Sequence, residues 1–150
     1  MTGTVKHPSK TAAESLPADL NRLREQLGPL CGRSDIHLIV AFGSAAQGRV
    51  HKQSDLDLAF LGQTALDTLE ITNRVMTLLP THDIDVVDLR RVSPLLAMEV
   101  VRRGQVLYER RAGEYAEFCS LAHRRYVDTA KLRAAQREAL ARFLHARSLA

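Results

Sequence analysis

The chain has 150 residues, with 45% hydrophobic and 25% charged side chains and a net charge of +4, the composition of an ordinary globular protein and not of a disordered tail. One domain of this length can bury roughly 70% of the surface its unfolded chain exposes, whereas two halves would each be marginal. No apolar run approaches the roughly 20 residues a membrane helix needs, and the opening MTGTVKHPSK lacks a signal-like apolar segment, so a cytoplasmic protein is expected. Cys31 and Cys119 lack the paired spacing of a zinc site and are expected to serve as small hydrophobes. From Arg110 onward nine basic residues stand against four acidic ones, which leaves the rest of the chain at −1. The positive charge therefore belongs to the C-terminal quarter.

Residues 1–15 are polar, contain Pro8 and show no periodicity, and are expected to form a flexible leader. Leu16, Leu20, Leu23 and Leu27 recur at helical spacing, with Pro17 near the start and Gly28 just past the end, which predicts an amphipathic helix. IHLIVAF (Ile36 to Phe42) is a short apolar run expected to be a buried strand. SAAQ, from Ser44, reads as a short helix closed by Gly48. In DLDLAFL (Asp55 to Leu61) Leu56, Leu58 and Phe60 alternate with Asp55, Asp57 and Ala59, predicting a strand with one greasy and one acidic face.

Thr64 to Leu79, ending before Pro80, is expected to be a helix crossing back over the sheet, and DIDVVDL (Asp83 to Leu89) a third strand. Ser93-Pro94 opens a helix that Gly104 stops. QVLYE (Gln105 to Glu109) is a last short strand, and the residues after Gly113 form one long helix or two joined near Asp128-Thr129. This order predicts an α/β fold, a small mixed β-sheet flanked by helices with a C-terminal helical extension. The expected division is a leader over 1–15, a main domain over 16–111 and the extension, packed on the same domain, over 112–150.

The chemistry concentrates in AFGSAAQGRVHKQSDLDLAF, where Gly43-Ser44 is followed by ten residues and then Asp55-x-Asp57. Carboxylates at positions i and i+2 of a strand project from one face, an arrangement that is costly unless cations sit between them. Hard oxygen ligands of this kind suit Mg²⁺, which prefers one or two carboxylates together with substrate phosphates. Gly43 lets a phosphate approach the backbone, while the Ser44 hydroxyl and the amides of the turn donate to its oxygens. A third carboxylate is expected from a neighbouring strand, with Asp85 the preferred choice and Asp83 on the same face. Arg49, His51 and Lys52, in the loop before Asp55, are either cations for a triphosphate or solvated loop residues, and Arg90-Arg91 have the same standing.

GSAAQGRVHKQSDLDL resembles the active-site signature of the DNA polymerase β-like nucleotidyltransferase superfamily. DIDVVDLRRVSPLLAMEVVRRGQVLYER resembles the remainder of its minimal nucleotidyltransferase (MNT) branch, so the likeness covers about Asp35 to Arg111. The resemblance implies a polymerase β-like fold, phosphate binding at Gly43 and Ser44, and two Mg²⁺ ions held by Asp55, Asp57 and Asp85. Arg49 is carried as a further nucleotide-binding candidate.

MNT proteins of this size are similar to antitoxins encoded beside a helical HEPN-domain ribonuclease toxin, and the activity so implied is transfer of AMP from ATP to a tyrosine of that partner. Tyr108, Tyr115 and Tyr126 are then packing residues, with Tyr115, Phe118, Leu121 and Tyr126 forming a stripe for internal packing or for the partner. Two alternatives stand beside this one: a transferase acting unaided on a small hydroxylated molecule such as an aminoglycoside, and an antitoxin that neutralises by binding alone. Direct nucleic-acid binding is not expected, because the basic residues are not interleaved with a stacking platform.

Overall fold

The computed structural model describes residues 18–43, 46, 56–81 and 83–149. The elements run α1 (Ala18–Gln26), α2 (Gly28–Cys31), β1 (Ile36–Phe42), β2 (Leu56–Gly62), α3 (Thr68–Leu78), β3 (Ile84–Asp88), α4 (Pro94–Arg103), β4 (Gln105–Glu109), α5 (Glu114–Asp128) and α6 (Ala130–Ser148). The leader expected over 1–15 lies outside the described residues, as does nearly all of the short helix expected from Ser44.

The four strands form one sheet in the order β3-β2-β1-β4. β1 runs antiparallel to both β2 and β4, whereas β2 and β3 are parallel and joined through α3, the helical crossover that a parallel pair requires. Both faces of the sheet are covered. On one, Ile39, Ala41, Leu58 and Phe60 pack with Leu20, Leu27 and Leu30 of the N-terminal helices and with Ile71 and Val75 of α3. On the other, Leu38, Val40 and Ala59 pack with Met98 and Val100 of α4 and Phe118 and Ala122 of α5. The expected acidic face of β2 is thus acidic only where the strand begins, because Ala59, two residues on from Asp57, is fully buried beneath α4 and α5.

Two helix boundaries differ from the sequence expectation, and of the two readings of the C-terminal segment the structure takes the second, two helices. The first helix does not simply end at Gly28: Gly28 opens the four-residue α2 with a proline in its first turn. Pro29 lacks the N–H to continue α1 and would clash with the carbonyl four residues back, yet its fixed φ suits a new helix start. α3 begins at Thr68, not Thr64, because the Asp67 side chain caps it by accepting from the amides of Leu69 at 3.1 Å and Glu70 at 3.2 Å. The C-terminal segment is two helices that meet at Thr129, whose hydroxyl donates to the Arg125 carbonyl at 2.7 Å. α5 packs against α4, whereas α6 buries none of its residues and exposes Leu132, Leu140, Phe143 and Leu144.

Three acidic residues shape the end of the sheet remote from Asp57. Arg33 donates to both Asp35 and Glu70, and its guanidinium holds the Asp35 carboxyl below the usual carboxylate range. Asp88, only 3% exposed, accepts from the Leu66 amide at 3.0 Å and the Arg90 amide at 2.9 Å, tying the loop before α3 to the end of β3. Asp88→Ala leaves two amides without acceptors and is expected to cost about 2–3 kcal/mol. Urea unfolding of the two proteins checks this; a midpoint unchanged from wild type would mean that water replaces the carboxylate.

Candidate active site

β1 ends where its antiparallel neighbour β2 begins, and β3 begins beside β2, so three strand ends meet at one edge of the sheet. In the ladder Phe42 pairs with Asp57, and Asp57 pairs in turn with Asp85. Residues in register on parallel neighbours share a face, which puts the Asp57 and Asp85 side chains side by side on the face that Ala59 and Val87 continue beneath α4 and α5. Asp57 is half-buried and Asp85 exposed, so the pair opens to solvent from a buried base. Asp83 lies before β3, where its carbonyl accepts from the Leu56 amide at 2.8 Å, and Asp85 is the in-register partner of Asp57.

Gly43 follows directly from β1 with φ at +71°, a conformation glycine adopts without penalty. A Cβ built there would lie 2.1 Å from Asp57 Oδ2, so the carboxylate occupies the volume a side chain would need. Sequence reasoning assigns Gly43 to phosphate approach alone, and the second reason, room for Asp57, depends on a pairing fourteen residues away that spacing does not reveal.

Ser44, Arg49 and Asp55, with His51 and Lys52, lie outside the described residues. Among the described residues no three His, Cys, Asp or Glu side chains form a metal-binding group. The donor chemistry of Asp57 and Asp85 still fits a hard divalent cation, since each offers carboxylate oxygen and they stand in register at an open edge. Arg90 and Arg91 do not belong to this site. They follow the far end of β3, where the Arg90 Nε donates to the Gly62 carbonyl at 2.8 Å and Arg91 Nε lies 3.9 Å from Asp88. Of the two readings open for them, that of cations for a triphosphate fails because a strand separates its two ends by its own length.

The three tyrosines pack within the molecule. Tyr108 lies against the core under α1, and Tyr115 stacks on Phe118 at 6.4 Å with its hydroxyl near the Val100 and Val101 carbonyls, and burial raises both phenols above the usual tyrosine value. Tyr126 sits between Arg102, 5.6 Å from the ring centre, and Arg133, 3.6 Å from it; the Arg102 hydrogen bond foremost draws its phenol downward. Cys31 and Cys119 are half-buried free thiols, and burial pushes both upward.

Residues 25–112 match the family model described as polymerase beta, nucleotidyltransferase. The chain belongs to this nucleotidyltransferase family, and its four-stranded mixed sheet is that fold. A protein adenylyltransferase MntA of Shewanella oneidensis is 38% identical over 76 residues, covering 49% of this chain and 54% of the relative. A protein of the same name from Aphanizomenon flos-aquae is 33% identical over 95 residues, covering 55% of this chain and 63% of that one. The matched segments thus span between half and two thirds of these curated relatives. A chain in a toxin-antitoxin crystal structure with AMP-PNP superposes with a TM-score of 0.64 at 27% identity, over 85% of this chain and 98% of that one.

Proposed function

We propose that this protein is an antitoxin that transfers AMP from ATP to a tyrosine hydroxyl of a HEPN-domain ribonuclease toxin and so silences it. The juxtaposition of Asp57 and Asp85 beside the left-handed Gly43, inside the family-matched segment, carries this reading. The likeness to two adenylyltransferases and to a chain of a toxin-antitoxin structure with an ATP analogue supports the choice of donor and partner. ATP and the toxin would be met in the cytoplasm. Among the described residues no helix is long and apolar enough to cross a membrane.

In the proposed reaction the tyrosine oxygen forms a bond to the α-phosphorus in line with the breaking bond to the β-phosphate. Pyrophosphate leaves with that electron pair, and the phenolic proton passes to solvent. Two Mg²⁺ ions, held by Asp55, Asp57 and Asp85, would supply charge neutralisation on the triphosphate and on the attacking oxygen. The chain itself positions. Asp57 and Asp85 present their oxygens on one face, fixed by strand register rather than by flexible loops, and Gly43 leaves room for the triphosphate beside them. The Ser44 hydroxyl and Arg49 are assigned to the phosphates.

The test combines the full chain, ATP with Mg²⁺ and the helical protein encoded beside it, followed by intact-mass spectrometry. The expected result is a gain of one or more adenylate masses on the neighbour and on no free small molecule. Transfer to an aminoglycoside without any protein acceptor would favour the unaided transferase instead. Neutralisation that survives Asp57→Asn with no mass gain would favour binding alone.

A further inference from the structure

Tyr126 differs from the other two tyrosines in what surrounds its hydroxyl. Tyr108 lies against the core, and the Tyr115 hydroxyl reaches inward to the Val100 and Val101 carbonyls. The Tyr126 ring packs in part against the cluster beneath α4 and α5, while its hydroxyl is open to solvent. Arg133, in the first turn of α6, lies over the ring at 3.6 Å from its centre and donates to the Thr129 hydroxyl. Arg102, in the last turn of α4, hydrogen-bonds the phenol, with its guanidinium carbon 5.6 Å from the ring centre. An exposed phenol on α5 is thus gripped by cations from two further helices.

Both cations act on the oxygen. The Arg102 hydrogen bond foremost, and then the charge of Arg133, lower the phenol from the usual tyrosine value, whereas burial raises those of Tyr108 and Tyr115. A lowered phenol carries a larger share of phenolate at neutral pH, and the phenolate is the form that attacks phosphorus. An adenylate joined to that oxygen would bring the negative charge of its phosphodiester to two guanidinium groups, whose planar donors match phosphate oxygens well. The same pair therefore favours both the attack and its product.

We propose that Tyr126 is itself an acceptor of AMP, modified by a second copy of this chain, an inference that rests on the transfer reaction proposed above. The Tyr126 oxygen forms a bond to the α-phosphorus of ATP as the bond from that phosphorus to the β-phosphate oxygen breaks. Pyrophosphate leaves with the electron pair, and the phenolic proton passes to solvent. A ring gripped by Arg102 and Arg133 does not swing into the site of its own chain; docking of the whole molecule delivers it to the open edge of Asp57 and Asp85 in another copy. The acceptor is of the class assigned to the partner, a tyrosine hydroxyl.

The test incubates the full chain alone with ATP and Mg²⁺ and reads it by intact-mass spectrometry and peptide mapping. One adenylate is expected, on the peptide that holds Tyr126. Tyr126→Phe should lose it and still modify the helical protein encoded beside this one at the wild-type rate. Replacing Arg102 and Arg133 together by alanine should slow self-transfer at least about tenfold while leaving transfer to that neighbour within about twofold. In a mixture of Asp57→Asn with Tyr126→Phe, which differ in mass, the adenylate is expected on the Asp57→Asn chain, whose tyrosine is intact and whose own site is not. The proposal is overturned if the neighbour is modified and this chain is not, if the adenylate maps to a residue other than Tyr126, or if the Asp57→Asn chain in the mixture gains none. No adenylate on either protein would overturn the transfer reaction as well.

Discussion

Asp57→Asn is expected to reduce AMP transfer at least about 10³-fold, a loss of roughly 4 kcal/mol of transition-state stabilisation, while leaving the fold intact. The side chain keeps its size, and Asp57 pairs in register with Asp85, so neutralising one carboxylate removes like-charge repulsion at the edge where β2 and β3 begin. The melting temperature should therefore hold. Single-turnover kinetics with labelled ATP and a thermal melt on the same preparation separate the two quantities. Transfer within about tenfold of wild type would remove Asp57 from the reaction, and with it the site proposed above.

Gly43→Ala is expected to damage stability and activity together. A left-handed conformation costs a non-glycine residue roughly 1–2 kcal/mol, and here the added methyl must also displace Asp57 Oδ2, which would lie 2.1 Å from it. Either the backbone leaves φ +71° or the carboxylate turns away, and each outcome moves a group to which the proposed transfer reaction assigns a role. A double-mutant cycle isolates the steric part. In an Asp57→Ala background the destabilisation by Gly43→Ala should shrink by more than about 0.5 kcal/mol, because the oxygen it strikes is gone. Additive costs would place the strain in the backbone alone.

The stretches that local chemistry specifies were legible. β1 and β4 carry the bounds the sequence predicts, since each is a short apolar run closed by a change of composition. α4 likewise starts at Ser93, whose hydroxyl accepts from the Leu96 amide at 3.2 Å, and stops at Gly104, where a Cβ would strike the Val100 carbonyl at 2.3 Å. The start of α3 was not legible in the same way. Several residues between Thr64 and Thr68 suit a helix; together with the Asp67 cap, what keeps them out of it is the buried carboxylate of Asp88, twenty-two positions on, which holds the Leu66 amide.

The candidate site divides along the same line. By itself the sequence determined the strands, the acidic residues they carry, the glycine after β1 and the kinship with a nucleotidyltransferase signature, because capping, turn and alternation rules act within a few residues. Only the tertiary structure decided that Asp85 faces Asp57, that Arg90 and Arg91 stand at the far end of the sheet, and that Glu114 is buried, with one oxygen that finds no hydrogen-bond partner among the described residues. Strand register and burial are settled by packing among segments distant in the chain, and no short stretch of residues encodes them.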